Sequence, residues 1–392
     1  MRIITDSKKI KEVLTRGVEN IYPQKKALEK ILRSGKKLRI YTGLDPTGKL
    51  HLGHLVILKK LTQFQDLGHE VIVLIGIFTA TIGDPTEKER TRKPLTREQV
   101  LKNAKDYKKQ IRKILNFKKQ NLKFLNNEKW FNKLKSKDII KLASYFTVAR
   151  LLERDMFQKR IEEGKEIYVH EFLYPIFQAY DALVIDIDLQ VGGNDQTFNM
   201  LAGRTLIKKI KNKKTFVLTL KLLTDPTGKK MGKTEGNVIN LNEKPEEMYG
   251  KIMSWSDEMI DLAFELCTDV SLKELKKIVN PRDKKARLAR EIVEICHSKK
   301  TALKAEREFE KIFKKKELPT VIPEIKIKEK ALNILDLLVT TKLVFSKSEA
   351  RRLILEKGVR IEGIIKDDWR EKIEIKKGMV IQIGKRRFIK IK

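Results

Sequence analysis

The chain has few cysteines, the residues that form disulfide-bonded scaffolds. Its 392 residues include only two cysteines, Cys267 and Cys296, which give neither a disulfide framework nor the spacing of a metal site. Both stand in apolar, helix-patterned surroundings, as expected in a reducing cytoplasm. No apolar run approaches the roughly 18–20 residues of a membrane span, and the N-terminus lacks a signal-peptide core. We therefore expect a cytoplasmic protein without a membrane partner.

Acidic residues are scarce relative to basic ones. Asp and Glu total 52 against 86 Lys and Arg, which gives a formal net charge of +34. A charge of this size predicts a polyanionic partner. The hydrophobic content of 41% is sufficient for ordinary cores. Since 392 residues exceed what one core usually supports, two or three domains are expected.

The most informative segment is Tyr41–His54, YTGLDPTGKLHLGH. It follows a strand-like run and leads into a helix-patterned run closed by Gly68, so its His-x-Gly-His element is predicted at a helix N-terminus. Backbone N–H groups at such a point favour phosphate binding. Gly53 allows close approach of a flat ligand ring. The imidazoles of His51 and His54, one helical turn apart, can hydrogen-bond negative charge that develops on a phosphoryl oxygen.

Other functions fit the same residues less well. Residues 43–49 approach a P-loop, but Leu50 replaces the hydroxyl that such a loop needs for magnesium, and Pro46 has no N–H for a phosphate. His51 and His54 could form a metal pair, yet the chain has only five histidines and no cysteine nearby, which disfavours structural zinc. A helix start with two exposed histidines stays open on this segment alone.

A second segment, Asp225–Thr234, is the Gly-rich and Lys-rich turn DPTGKKMGKT. Together with the His-x-Gly-His helix start, it resembles the two signatures of class I aminoacyl-tRNA synthetases. The resemblance implies ATP as a substrate, used with Mg²⁺, and attack of an amino-acid carboxylate on the α-phosphate. Such chemistry is mostly positioning and charge stabilisation, and Lys230 and Lys233 are suited to hold the departing phosphates.

The residues between the two signatures resemble tyrosyl-tRNA synthetases. Glu171–Asp181, EFLYPIFQAYD, matches that family's Tyr-x-x-x-Gln-x-x-Asp helix, whose three polar positions share one helical face. A pocket that hydrogen-bonds a phenol hydroxyl can reject phenylalanine by about 10⁴–10⁵ without an editing domain. The resemblance assigns five side chains to bound tyrosine, Tyr41 and Asp181 on its phenol hydroxyl and Tyr174, Gln178 and Asp84 on its α-ammonium.

Other stretches resemble further parts of the same site. Val191–Gln196, VGGNDQ, looks like the family's Gly-Gly-Ser-Asp-Gln loop with Asn in place of Ser, and Asp195 is suited to hold ribose hydroxyls. Ile75–Pro85 resembles its Gly-Asp-Pro loop. The resemblance also assigns Thr47 to catalysis, Gln196 and Asn127 to tyrosine, and Gly43, Asp45, Gly53, Gly193, Asp195, Lys233 and Thr234 to ATP. Lys88 and Arg92 match a basic loop that grips pyrophosphate, although ordinary surface charge explains them equally.

The order of patterns predicts an α/β protein with three parts. Residues 1–240 alternate strand and helix patterns, as in a Rossmann-like parallel-sheet catalytic domain, with a helical insertion at about 95–180 and a strand at Ala182–Leu189. Residues 241–317 are helical and correspond to the anticodon-side domain of the family. Charge and proline together predict a linker at 318–328.

Residues 329–392 predict two helices followed by short strands, and they resemble an S4 RNA-binding domain. The marks are Ser348-x-x-x-Arg352 and a strand that starts at 358–360. A small helix pair of this kind can dock against an RNA backbone. A basic helical tail is the alternative. The cations assigned to RNA contact are Lys347, Arg351, Arg352, Arg386 and Arg387.

The resemblance spans nearly the whole chain and implies a bacterial-type tyrosine–tRNA ligase. Its partners would be L-tyrosine, ATP and tRNA(Tyr), and it would be a homodimer. A tryptophanyl-tRNA synthetase is one alternative, disfavoured by the S4-like tail and by Asp181, because an indole offers only a donor and needs a different pocket. A non-catalytic RNA-binding or RNA-folding protein on a synthetase scaffold is another, disfavoured by the intact signatures.

Overall fold

The computed structural model describes residues 2–84, 95–228, 238–314, 322–327, 329–384 and 387–392. The chain divides into two compact units, Met1–Ala302 and Leu303–Lys392. The finer domain boundaries expected at 240 and 317 remain predictions. No helix in the described ranges is long and apolar enough to cross a lipid bilayer.

A six-stranded sheet with the order β1-β6-β5-β2-β3-β4 lies at the centre of the N-terminal unit. Strands β2 to β6 are parallel, and β1 joins β6 in antiparallel register. The chain moves outward from β2 through β3 to β4, then returns to β5 on the other side of β2, so the strand order switches between β2 and β5. Ligands bind beyond the carboxyl ends of strands at such a switch point. The strands are β1 (Val18–Tyr22), β2 (Arg39–Leu44), β3 (Glu70–Ile75), β4 (Leu122–Asn126), β5 (Leu189–Gly193) and β6 (Phe216–Leu220).

Helices cover this sheet and form the rest of the unit. α3 begins immediately after the N-cap residue His51, which confirms the predicted helix start. α16 spans the chain position at which the two units divide. The helices are α1 (Ser7–Val13), α2 (Lys25–Arg33), α3 (Leu52–Asp66), α4 (Ile77–Ile82), α5 (Arg97–Ile111), α6 (Glu128–Phe131), α7 (Ser136–Ala143), α8 (Val148–Leu152), α9 (Asp155–Glu162), α10 (Val169–Ile185), α11 (Thr197–Lys211), α12 (Pro245–Met253), α13 (Glu258–Cys267), α14 (Leu272–Leu275), α15 (Pro281–Cys296) and α16 (Lys299–Lys314).

Two sequence expectations need correction here. The strand expected at Ala182–Leu189 is wrong, because α10 continues to Ile185 and ends on Asp186 in the left-handed conformation before β5 begins. Its apolar residues pack helix against helix rather than strand against strand, since Ala182 and Leu183 belong to the buried cluster shared with α11. The expected helical insertion also supplies a strand, β4, which pairs with β3 at the edge of the sheet.

The helix that carries the tyrosine motif is fixed by an apolar core. Ile72 and Leu74 from β3, Ala179 from α10 and Leu206 from α11 are all at most 1% exposed and belong to one cluster. Burial of each large aliphatic side chain stabilises the fold by roughly 1.5–3 kcal/mol. This core therefore holds α10, which carries the polar residues of the motif, against β3 and α11.

Both cysteines are buried free thiols, as the apolar helical context predicts. Burial raises the pKa of Cys267 and of Cys296 to about 12. The reactive thiolate is therefore disfavoured near neutral pH, and both residues serve as small apolar core side chains.

The C-terminal unit has the predicted helix pair, α17 (Ile334–Thr340) and α18 (Lys347–Leu355). A five-stranded sheet has the order β10-β9-β12-β13-β7, and β8 pairs with β11. Within the range 318–328, where a linker is expected, β7 pairs in parallel with β13, and the linker itself remains a prediction. The strands are β7 (Glu324–Ile325), β8 (Ala331–Asn333), β9 (Val359–Ile361), β10 (Ile364–Lys366), β11 (Lys372–Glu374), β12 (Val380–Ile383) and β13 (Arg387–Ile391).

Candidate active site

Many of the residues singled out in the sequence meet at the carboxyl edge of the parallel strands. Each of β2, β3, β4 and β5 is followed by a short segment that carries some of them. These segments are 45–54 after β2, 76–84 after β3, 127–130 after β4 and 194–196 after β5. Because the strands are parallel, side chains far apart in sequence come together at one edge.

The two signature histidines are oriented by the backbone of their own helix start. The Nδ1 atom of His51 accepts a hydrogen bond from the Gly53 N–H at 3.2 Å, and the Nδ1 atom of His54 accepts one from the His51 N–H at 3.2 Å. The ring centroids lie 4.1 Å apart. Since each Nδ1 is an acceptor, the proton of each neutral ring is on Nε2, which makes that atom a hydrogen-bond donor.

The residues that follow the second signature return to the first. The Leu52 N–H donates to the Ile239 carbonyl at 3.1 Å, and the Leu241 N–H donates to the Leu50 carbonyl at 2.9 Å. These bonds join residues 239–241, which follow the second signature in the sequence, to the helix start of the first. Several predicted residues lie outside the described ranges, namely Lys88, Arg92, Lys230, Lys233, Thr234 and Arg386.

Asp45, in the segment after β2, is hydrogen-bonded to the segment after β3 and to α10. Its Oδ2 atom accepts the Tyr174 hydroxyl proton at 2.8 Å, and its Oδ1 atom accepts that of Thr79 at 2.7 Å. A Cβ atom on Gly76 would lie 2.0 Å from Asp45 Oδ1, so only glycine leaves room for the carboxylate there. Thr47 is half-buried, and its N–H donates to the Asp45 carbonyl at 2.8 Å.

Asp181 is a buried carboxylate with a donor on each oxygen. Trp130 Nε1 donates to Oδ1 at 2.7 Å, and Asn127 Nδ2 donates to Oδ2 at 3.2 Å. The side chain is buried, with the residue only 2% exposed. Burial raises the pKa of Asp181 well above its usual value, and the two donors partly oppose that rise.

Tyr41 brings a buried hydroxyl to the same place. The residue is 2% exposed, and its hydroxyl has no hydrogen-bond partner among the described residues. A Cβ atom on Gly43 would lie 2.8 Å from that hydroxyl, so the glycine keeps the space above it open. Burial and the charges of Asp181 and Asp45 raise the pKa of Tyr41, so the phenol stays protonated near neutral pH. A buried hydroxyl without a partner is costly and indicates a ligand position.

A second carboxylate, Asp84, lies near Tyr174. Gln196 Nε2 donates to Asp84 Oδ2 at 2.8 Å. Burial first, then the charges of Asp45 and Asp84, raise the pKa of Tyr174. Gln178 is partly buried one helical turn beyond Tyr174 on α10.

The predicted nucleotide loop lies at the end of β5. Gly193 closes that strand, and Asp195 lies in the following 3₁₀ turn, Asn194–Gln196. A Cβ atom on Gly193 would lie 2.4 Å from Asp195 Oδ1, so glycine is needed for the close approach of this carboxylate. Gly53 lies in the first turn of α3, facing the ring of His51.

Three polar contacts of the site were not assigned from sequence. Thr79 contacts Asp45, Trp130 contacts Asp181, and Arg154 approaches Asp84 with Nη2 at 3.4 Å from Oδ1. Trp130 stands three residues after Asn127, so its position next to a predicted site residue was the available signal. Arg154 had no such signal, because a charged residue in a helical stretch usually faces solvent.

The cations assigned to RNA contact make bonds within the C-terminal unit. Lys347 pairs with Asp336 at 2.5 Å, and Arg387 donates to the Leu343 carbonyl at 2.7 Å. The guanidinium of Arg351 stacks on Trp369 with a centroid distance of 4.4 Å. Arg352 lies 3.9 Å from Glu356. Their part in RNA binding remains a prediction.

Comparison with known proteins agrees with this architecture. Residues 33–314 match the family described as tRNA synthetases class I (W and Y), and residues 308–391 match the tyrosine–tRNA ligase SYY-like C-terminal domain. The tyrosine–tRNA ligase of Moorella thermoacetica is 44% identical over 97% of this chain and 94% of its own length. That of Carboxydothermus hydrogenoformans is 44% identical over 99% of this chain and 98% of its own length.

Solved structures agree as well. The crystal structure of a C-terminally truncated mitochondrial tyrosyl-tRNA synthetase from Coccidioides posadasii has a TM-score of 0.62 and 26% identity, covering 76% of this chain and 91% of that one. The family matches together span most of the sequence, and the relatives match over nearly its full length. The chain therefore belongs to the class I tRNA synthetases of the tryptophan and tyrosine type, and within them to the tyrosine–tRNA ligases.

Proposed function

We propose that this ligase binds L-tyrosine with its phenol hydroxyl between Tyr41 and Asp181. The observation that carries the proposal is the pairing of a buried carboxylate with a buried hydroxyl that has no partner among the described residues. A phenol both donates and accepts, so it can donate to Asp181 and accept from Tyr41. An indole N–H could only donate, and phenylalanine could do neither. Each would leave a buried polar group unsatisfied, which is the basis of strong discrimination.

The same proposal assigns the α-ammonium to Tyr174, Gln178 and Asp84. The only proton of the Tyr174 hydroxyl is donated to Asp45, so the lone pairs of its oxygen remain to accept from a cation. The carboxylate of Asp84 supplies opposite charge. Gln178 adds an amide oxygen from the same face of α10. Gln196 fixes Asp84 and so belongs to the tyrosine side.

We assign the chemical step to the edge of the sheet where α3 begins. A tyrosine carboxylate oxygen forms a bond to the α-phosphorus of ATP, and the bond from that phosphorus to the bridging oxygen breaks, releasing pyrophosphate. His51 and His54 carry Nε2–H donors suited to charge on the phosphoryl oxygens. Asp195 would hold the ribose, and Gly43, Gly53 and Gly193 would let the nucleoside approach. Thr47, Lys230, Lys233 and Thr234 would contact phosphates, with Lys88 and Arg92 on pyrophosphate.

Mg²⁺ would enter with the nucleotide. No group of three or more His, Cys, Asp or Glu side chains in the described ranges could hold a metal ion. Mg²⁺ is commonly held by substrate phosphates together with one or two carboxylates, so the phosphates of ATP would be its main ligands. In this role it would neutralise charge on the phosphates.

The proposed second step joins the tyrosyl group to the 3′ end of tRNA(Tyr). The experiment is a charging assay with the purified chain, ATP, Mg²⁺, labelled tyrosine and tRNA transcripts. We expect acid-stable label on tRNA(Tyr) and none on a tRNA of another specificity. Tyrosine-dependent turnover of ATP without any label on tRNA would contradict this step.

The C-terminal unit is expected to serve the tRNA step alone. Removal of residues 315–392 should leave tyrosine-dependent pyrophosphate exchange intact, because the described residues of the tyrosine pocket all precede residue 200. Charging of tRNA should fall steeply, and each lost phosphate contact should flatten the log–log salt dependence of tRNA binding by roughly 0.7–0.9. Exchange activity is the internal control for folding. Undiminished charging by the truncated chain would refute the assignment of RNA contacts to this unit.

A homodimer is proposed through helices α7 to α10. Each of these four helices has a large apolar side chain that is at least half exposed, namely Ile140 at 70%, Val148 at 67%, Ile161 at 50% and Val169 at 78%. Exposed apolar groups clustered along consecutive elements are typical of subunit interfaces.

A cytoplasmic location is also proposed, since buried free thiols fit a reducing compartment.

Val169→Glu should convert the dimer to a monomer, because it buries an unpaired charge at the proposed interface. The measurement is molar mass by light scattering after size exclusion. The matched control is Val279→Glu, since Val279 is 91% exposed and lies outside these helices. If both variants kept the mass of the wild type, the interface would have to lie elsewhere.

A further inference from the structure

Arg154 is a charged side chain in an unusually enclosed position. It stands at the N-cap of α9 and is only 5% exposed. Its guanidinium lies over two aromatic rings, 5.4 Å from the centroid of Phe157 and 5.5 Å from that of Phe198. Phe198 belongs to the first turn of α11, directly after the loop that carries Gln196. Buried arginine is costly unless it is paired, so its contacts indicate a specific purpose.

Arg154 makes a polar contact with Asp84. Nη2 lies 3.4 Å from Asp84 Oδ1, while Gln196 Nε2 donates to the other oxygen, Oδ2, at 2.8 Å. Gln196 is itself held, because its Oε1 atom accepts from Asn199 Nδ2 at 2.8 Å. The two oxygens of one carboxylate are therefore fixed from two different segments of the chain.

Asp84 needs such support because of where it lies. It comes directly after Gly83, whose φ of 86° ends α4. A carboxylate just beyond a helix end is not fixed by that helix, so its direction depends on side-chain partners. The planar guanidinium, which lies over two rings, offers donors in one plane, which a lysine ammonium cannot.

We propose that Arg154 is a positioning residue for the ammonium subsite, which holds Asp84 against the α-ammonium of tyrosine and sets recognition of that group. This inference rests on the proposed tyrosine pocket. In this role Arg154 does not act on the phenol end of the substrate, where Tyr41 and Asp181 lie. Loss of Arg154 should therefore weaken recognition of one end of tyrosine and leave the other end unchanged.

The test compares two competitive inhibitors of tyrosine-dependent pyrophosphate exchange. Tyramine keeps the phenol and the ammonium, whereas 3-(4-hydroxyphenyl)propionate keeps the phenol and lacks the ammonium. For Arg154→Met we expect the inhibition constant of tyramine to rise about tenfold, the typical consequence of losing one charge-assisted contact. The constant of the propionate should stay within about twofold, and tyrosine KM should rise more than kcat falls.

Two further variants sharpen the result. Arg154→Lys keeps the charge without the planar fork and should give an intermediate rise for tyramine. Arg150→Met removes an exposed arginine from α8, the preceding helix, and should change neither constant. Equal weakening of both inhibitors, or of neither, would overturn the positioning role. If tyramine failed to inhibit the wild-type chain while tyrosine supported exchange, the pocket assignment would fail first, and this inference with it.

Discussion

Replacement of His54 by Asn is expected to slow formation of tyrosyl-adenylate by about 100- to 1,000-fold, the cost of losing one donor to a developing oxyanion. The Nδ1 atom of His54 accepts the His51 N–H, and an Asn carbonyl oxygen can take over that bond. The donor on Nε2 has no counterpart in Asn. Stopped-flow measurement of the chemical step should show the loss, while tyrosine Kd stays within about threefold because the ring is assigned to the phosphate.

His54→Gln is the reciprocal variant. Its amide N–H₂ can reach the Nε2 position, but it does not reproduce the bond to the helix start. We expect it to keep more activity than the Asn variant. His170→Ala removes an exposed histidine from α10 and is the matched control. If the Gln variant were slower than the Asn variant, the histidine would act through the helix start rather than through its donor.

Asp181→Asn is expected to lower kcat/KM for tyrosine by about 10- to 100-fold or more, the range for one charge-assisted hydrogen bond. The carboxylate accepts from Trp130 on one oxygen and from Asn127 on the other. Whichever way an amide is turned, its N–H₂ group faces one of these donors. The variant therefore loses charge and also gains a buried donor–donor mismatch.

The measurement is kcat/KM for tyrosine and for phenylalanine in pyrophosphate exchange. The ratio of the two should fall, because phenylalanine makes no use of Asp181. Asp106→Asn, an exposed position on α5, is the matched control. A tyrosine kcat/KM within about threefold of the wild type would show that the phenol lies elsewhere.

The parts of the fold with strong local patterning were predictable. The start of α3 at His51 follows from a strand-like run, a capping position and a long apolar helix face. The run 182–189 was not predictable in the same way, since a short apolar segment fits a buried helix end and a buried strand equally well. Only its packing against α11 decides the outcome, and this is a tertiary contact.

The candidate site shows the same division between local and tertiary information. Tyr41, Asp181 and Asn127 were identified through family motifs, and the structure brings Asn127 within hydrogen-bond distance of Asp181. The hydrogen bond from Trp130 to Asp181 joins residues 51 positions apart, and no local sequence pattern predicts it. The enclosure of Arg154 depends likewise on a ring from α11. Such contacts follow from the topology of the sheet edge rather than from any one segment.

Selection of tyrosine for activation by this site can be measured directly as amino-acid-dependent exchange of pyrophosphate into ATP. The purified chain should be assayed with tyrosine, phenylalanine, tryptophan and no amino acid. Exchange should appear with tyrosine alone, and the rate with phenylalanine should be lower by about 10⁴–10⁵ in kcat/KM. Exchange supported better by tryptophan, or no exchange with any amino acid, would show that this site does not select tyrosine for activation.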